Sequence, residues 1–390
     1  MNANTSTSVT LTPSAPLASR AIGAMVFSVF RGVRLVLWAR SEFNRSIARL
    51  SPYRITIKKT RFWNVLPVLV ASIPLFGQVA QASSTDDAFA KPQQRVNIGG
   101  RNLHLYCSGA GATTVVFDAP SGEGGWTWFQ VQPEVAKHTR ACVYDRAGLG
   151  FSDPALRPNT SANAVEDLHK ALDVAGVKPP YLLVGNSLGG ENTQVYAYRY
   201  PHQVKGLVLV EPQTEDETAR LNKITVGKIK QVHAMVKQQD AYCLGEAVKG
   251  FKTGSEALTN CVGNPIEFYG PVLGRAVQSI EMKQTYWRTR VEEYKAIDAS
   301  DKQLRALRKP FGDLPLLVLT RGVSPYSVPG KPQSAMNKAT EDENERIHKE
   351  IAALSNKGKQ RVIPGASHVI QAEQPAAVVQ AVLEVLAQIK

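Results

Sequence analysis

The chain has 390 residues, 43% of them hydrophobic and 20% charged, with a formal net charge of +13. This length and balance exclude a peptide, a minimal disulfide scaffold, a collagen-like repeat and a wholly disordered protein, and they supply enough apolar side chains for a substantial core. Residues 1–82 carry ten Lys/Arg against Glu42 alone, so most of the excess charge lies there. No compact Lys/Arg block with interleaved aromatics remains to grip a phosphate backbone, which argues against nucleic acid as a partner.

The first 82 residues read as a leader. Arg54, Lys58, Lys59 and Arg61 precede an apolar run over 65–79, and Ala80 and Ala82 then supply the small residues of a cleavage site. Basic, apolar, small is the order of a secretory signal. The run is short against the about 20 residues of a bilayer span, and Pro67, Pro74 and Gly77 interrupt it. Cleavage after Ala82 and export to the periplasm or medium are therefore expected. The competing expectation is an uncleaved amphipathic anchor on a membrane, because 22–37 forms a second, mostly apolar segment.

A polar linker over 83–94 leads into short β-rich runs at 95–98, 103–107, 114–118, 141–145, 181–185 and 206–211, with two more at 314–320 and 360–363. Several are uninterrupted apolar stretches, as strands covered on both faces require. Amphipathic patterns over 162–175, 188–200 and 376–389 predict helices between the later strands. Alternating strands and helices specify an α/β fold with a mostly parallel sheet. The organisation expected is core over 95–211, a helical insertion over 212–312 placed as a lid over the sheet, and core again over 313–390. Of the four cysteines, Cys243 and Cys261 lie in the insertion and can close a loop; Cys107 and Cys142 fall in predicted strands, as a disulfide or as buried thiols. Their spacings do not form a zinc site.

The most informative stretch is Tyr181-Leu-Leu-Val-Gly-Asn-Ser-Leu-Gly-Gly190, a buried-type strand, a G-x-S-x-G turn and then a helix. Flanking glycines permit a sharp bend that holds a serine hydroxyl above the sheet, which makes Ser187 the candidate nucleophile. A serine attacks poorly without a base. Among seven histidines, His169, His202, His233 and His348 fall in helical or capping segments, where solvent or neighbouring turns are expected, and His104 and His138 flank early strands. His368 follows the last strand in Pro364-Gly-Ala-Ser-His368, where parallel sheets present chemistry, and is the candidate general acid/base.

Tyr144-Asp-Arg-Ala-Gly-Leu-Gly-Phe-Ser-Asp153, the Ser187 turn and the His368 loop together resemble motifs of the α/β-hydrolase fold superfamily, in its branch with one domain and a lid. The resemblance covers about 95–211 and 313–390. It implies an eight-stranded sheet flanked by helices, a Ser–acid–His triad above it, and no cofactor. In that family the acid usually follows the seventh strand, but here Pro315-Leu-Leu-Val-Leu-Thr320 leads into a loop with no Asp or Glu before Glu341. Some members place it after the sixth strand, where Glu211 stands, so Glu211 is the expected acid, with Glu215, Asp216 and Asp313 as fallbacks. The oxyanion donors expected are the N–H of Leu188, directly after the nucleophile, and that of Ser121 in Asp118-Ala-Pro-Ser-Gly-Glu-Gly-Gly125, with Gly122 as second choice, since Pro120 has no N–H. Asp145 and Ser152 are expected to bond backbone and support their turn. Trp126, with Trp128, is placed either on the substrate pocket or in the packing beneath it.

These readings point to an exported serine hydrolase of carboxylic esters acting on a small molecule. A nucleophilic serine argues against the branches that form their ester on an aspartate. The alternatives are cleavage of amide, thioester or carbon–carbon bonds by the same residues, and a noncatalytic ligand-binding protein of the same fold.

Overall fold

The computed structural model describes residues 87–328 and 330–389; the leader, its cleavage site and the start of the linker lie outside the described residues. Eight strands form one sheet in the order β1-β2-β4-β3-β5-β6-β7-β8: β1 (Gln94–Asn97), β2 (Asn102–Ser108), β3 (Thr114–Asp118), β4 (Arg140–Tyr144), β5 (Tyr181–Ser187), β6 (Val204–Pro212), β7 (Leu316–Arg321) and β8 (Gly358–Ile363). The β1–β2 and β2–β4 pairs are antiparallel and every other pair is parallel. All eight expected strands are present.

The apolar runs divide between two cores. Val115 and Phe117, Leu182 and Val184, Val208 and Val210, and Leu317 and Leu319 pack on one face of the sheet. Val116, Leu183, Leu207, Leu209, Leu316 and Val318 pack on the other. A strand turns successive side chains to opposite faces, so an unbroken apolar run is what a sheet buried on both sides demands.

Helices cover both faces: α1 (Gln132–Ala136), α2 (Ser161–Val174) and α3 (Leu188–Arg199) in the first half of the chain. Thr160 caps α2 by accepting from the Asn163 N–H, and α3 is buried from Leu188 to Tyr198 against α2, β5 and β6. Between β6 and β7 come five more, α4 (Glu217–Ile224), α5 (Lys228–Lys249), α6 (Glu256–Cys261), α7 (Gly270–Glu281) and α8 (Gln284–Leu307), with no strand among them. A buried Arg290–Asp240 pair (3.1 Å) ties α8 to α5, and the Cys243–Cys261 disulfide ties α5 to α6. The chain closes with α9 (Ala335–Ala352), α10 (Ile370–Glu373) and α11 (Pro375–Leu386). The sequence reading did not single out α9, although Ser334 is its cap and accepts from the Asn337 N–H. Cys107 and Cys142 face each other across β2 and β4 and are also bonded. Among the described residues no helix is long and apolar enough to cross a membrane.

Candidate active site

Strand β5 runs straight into α3, and the junction is Ser187, whose backbone stands at φ 54°, ψ −120°. A side chain other than glycine in that region is strained, and such strain persists only where the surroundings enforce it. Here they do. A Cβ on Gly185 would sit 2.1 Å from the Gly189 carbonyl oxygen, and one on Gly189 would sit 2.3 Å from that of Asp118, so neither glycine of the turn tolerates a side chain. Strand pairing also slips between Asn186 and Ser187, which lifts the hydroxyl off the ladder.

Asn186 ties the turn to its partners. Its Nδ2 donates to the Val210 carbonyl (2.8 Å) on β6 and to the His368 carbonyl (3.2 Å), and its Oδ1 accepts from Gln371 (2.9 Å). The side chain before the serine thus fixes the loop that carries His368. His368 turns Nδ1 toward Glu211 Oε2 at a long 3.4 Å, which leaves Nε2 as the other ring nitrogen. Ser187 and His368 line one cavity of about 100 Å³, together with Ser121 and Leu188; no hydrogen bond joins the hydroxyl to the imidazole in this geometry.

Glu211 sits at the end of β6 at φ 45° and is almost fully buried. It accepts from the Arg321 backbone N–H (2.6 Å), the Arg321 guanidinium (2.5 Å) and Asn344 (3.3 Å). Burial alone would raise its carboxyl, but the Arg321 charge and the His368 contact outweigh it and hold it well below the usual carboxylate range. Arg321 occupies the end of β7, where the resemblance led an acid to be sought, and also holds Glu341 (2.6 Å). His348, expected toward solvent or a neighbouring turn, is buried beside Glu211. Its Nδ1 bonds Thr320 (2.8 Å), and burial pushes its pKa down to about 4. The fallback acids are engaged elsewhere: Glu215 with Arg308, Asp216 with Arg305, and Asp313 with Asn356.

The loop after β3 is held from two sides. Arg146 donates to Asp118 Oδ1 (2.7 Å) and to the Ala119 and Pro120 carbonyls (2.6 and 2.7 Å), while its Nε meets Glu293 (2.8 Å) on α8. Glu293 also accepts from the Gly122 N–H (2.7 Å) and the Ser121 hydroxyl (2.8 Å). That engages Gly122, the second choice for an oxyanion donor, and leaves the Ser121 N–H unengaged among the described residues. Asp145 accepts from the Gly125 and Phe151 N–H groups and from His104, and Ser152 bonds the Asp145 carbonyl, so that turn is internally braced. Trp126 lies in the core with its indole N–H on Glu123 (3.0 Å) and Trp128 is fully buried; neither forms part of the cavity wall, which corrects the expectation of Trp126 as a pocket residue. The outer wall comes from the helices between β6 and β7, through Glu217, Leu221, Ile229, His233, Tyr294 and Ile297. His233, expected toward solvent or a neighbouring turn, faces the cavity.

A second buried carboxyl lies one turn beyond Ser187. Glu191 on α3 accepts from Ser161 (3.1 Å) and Gln213 (2.8 Å), and burial, assisted by Asp301, pushes it up to about 8. The unfolded chain releases that proton near pH 4.5 whereas the folded chain keeps it, so stability falls as pH rises from about 4.5 to 8. Glu191→Gln is therefore expected to leave stability unchanged at pH 5 and to raise it by about 2–4 kcal/mol at pH 8, by chemical denaturation at both values. Equal effects at the two pH values would contradict this.

A family model described as alpha/beta hydrolase fold matches residues 105–261. The chain has the α/β-hydrolase fold. The uncharacterized protein YqjL of Bacillus subtilis is 32% identical over 125 residues, 32% of this chain and 49% of that one. The 2-hydroxy-6-oxononadienedioate/2-hydroxy-6-oxononatrienedioate hydrolase of Paraburkholderia xenovorans is 31% identical over 170 residues, 42% of this chain and 57% of that one. The chain spans about half the length of these curated relatives. Among solved structures, a thermophilic esterase from Thermogutta terrifontis aligns with TM-score 0.50 at 17% identity, over 77% of this chain and 99% of the other. At that identity the likeness concerns the fold alone.

Proposed function

We propose that this α/β hydrolase is a serine hydrolase of carboxylic esters. One observation carries the reading: Ser187, on a strained and sterically enforced turn, shares a cavity wall with His368, whose Nδ1 faces the buried Glu211. In the reaction His368 Nε2 takes the Ser187 proton as Oγ attacks the ester carbonyl, and Glu211 holds the tautomer and stabilises the imidazolium. The N–H groups of Leu188 and Ser121 meet the charge that develops on the carbonyl oxygen. The imidazolium then protonates the departing alcohol, and water, activated by the same nitrogen, clears the acyl-enzyme. Catalytic hydrogen bonds of this kind tighten when substrate arrives.

The helices between β6 and β7 act in this reading as the lid. Export is supported by the basic, apolar, small order of the leader and by two disulfides, which persist in oxidising compartments. The same residues also cleave carbon–carbon bonds beside a ketone, and the match to the Paraburkholderia hydrolase favours that as the second reading.

A fluorophosphonate probe on the folded protein tests the proposal. Covalent labelling at Ser187 is expected, as is faster turnover of a butyrate than a decanoate ester by at least about tenfold. The reason is size: the cavity is smaller than the ~150 Å³ apolar void that accepts benzene. Folded protein that takes no label would instead support a ligand-binding role.

A further inference from the structure

The charges around the cavity are unbalanced. Its wall carries one guanidinium, Arg321, and one carboxyl outside the proposed triad, Glu217, at the start of α4. Arg321 is already held by two carboxylates, Glu211 and Glu341. Among the described residues no salt bridge holds Glu217; burial, then the Glu211 carboxylate, raises its carboxyl, while Arg321 and His368 act the other way, so its charge is strongest at alkaline pH. His233, facing the same space, is driven toward its neutral form first by burial and then by Lys237. No cation on this wall is free to receive a negative group. An unpaired carboxyl is available to receive a positive one.

Resting on the serine-hydrolase reading, we propose that the cavity selects compact esters bearing no negative charge, and that Glu217 enforces the selection by repelling carboxylates and binding an ammonium or other hydrogen-bond-donating group of the substrate. Leu221, Ile229 and Ile297 give the wall around Glu217 an apolar part, so the field of one carboxylate is screened less there than in bulk water. Glu217 lies on α4, outside the β-strand framework that carries Ser187 and His368, and it is half-buried with its backbone N–H on the Thr214 carbonyl (3.2 Å). Exchanging its carboxylate for an amide therefore changes the charge with little disturbance to the fold.

Three 4-methylumbelliferyl esters matched in length test this at pH 8: butyrate, 4-aminobutyrate and hemisuccinate. The wild type is expected to rank kcat/KM as aminobutyrate, then butyrate, then hemisuccinate. Glu217→Gln should shift the charged esters relative to butyrate by about tenfold each, lowering aminobutyrate and raising hemisuccinate, the order of one charge–charge interaction in a partly desolvated site. Because butyrate serves as the internal reference, a general loss of activity does not imitate that opposite movement. If butyrate is cleaved through a labelled Ser187 and the charged-to-neutral ratios are the same in wild type and variant, charge selection by Glu217 is wrong and the hydrolase reading stands. If Ser187 takes no fluorophosphonate and none of the three esters is cleaved, both fall together.

Discussion

Ser187→Ala is expected to lower kcat on a short-chain ester by about 10⁶-fold, leaving only the residual contribution of oxyanion donors and binding. The expectation follows from the placement of the hydroxyl at the one point where the backbone is forced out of line between β5 and α3. The change removes one oxygen and keeps the Cβ, so the strained φ of 54° and the crowding around Gly185 and Gly189 are unaltered. The hydroxyl makes no hydrogen bond that folding depends on, and thermal stability should stay within about 0.5 kcal/mol of wild type. Steady-state kinetics beside a melting curve give both numbers. A folded variant retaining more than about a tenth of wild-type turnover would remove Ser187 from the chemistry.

The second large effect is at Glu211, where function and stability should fall together. A glutamine keeps the shape but presents an amide that can donate to the imidazole, favouring the tautomer with no free electron pair at Nε2; a loss of about 10⁴-fold in kcat is expected. The same substitution deprives the buried Arg321 of one of its two counter-charges, Glu341 remaining. Breaking a buried pair from one side costs about 3–5 kcal/mol when nothing replaces it, so Glu341 should hold the loss to the lower end of that range. The sign with pH is fixed. The folded-state pKa of Glu211 is depressed, so its contribution is fully present above the unfolded value near 4.5 and is lost as pH falls through the folded one. The gap between wild type and variant in denaturant unfolding should therefore be widest near pH 7 and should narrow under strong acid. Turnover within tenfold of wild type at pH 7 would assign the acid's role to another carboxyl.

Arg321 shows why this part of the site is only half legible in a sequence. A loop without Asp or Glu after the seventh strand directs attention to Glu211, and the folded chain does bring the His368 imidazole against it. Nothing in the sequence near Arg321 announces that it reaches across from β7 to β6, or that Asn344 and His348 on α9 close the same pocket. Those contacts join residues more than a hundred positions apart, and a side chain's partner at that separation is set by strand order and register. His348 and His233 fail as sequence expectations for the same reason, since a helical pattern indicates a buried face without naming what that face meets.

The loop after β3 gives a similar lesson. Pro120 lacks an N–H, which narrows the proposed oxyanion donor to Ser121 or Gly122. Glu293, some 170 residues later on α8, separates the two by taking the Gly122 N–H for itself. Trp126 had equal grounds for pocket and core by composition, and the turn of the short helix Gly125–Trp128 decides for the core.

What the sequence determined alone was what depends on neighbours along the chain: eight strands from runs of apolar residues, three of the helices from their amphipathic periods, and the sharp turn at Ser187, where two glycines, a preceding strand and a following helix lie within ten residues. Tertiary structure alone decided the rest: the two cores split across the sheet, the Arg321 and His348 company of Glu211, the Glu293 brace on the loop after β3, and the small cavity beneath α4, α5 and α8. Local conformation is governed by sterics and hydrogen bonds between adjacent residues, whereas burial and electrostatics depend on which distant surfaces meet, and a linear pattern carries little of that information.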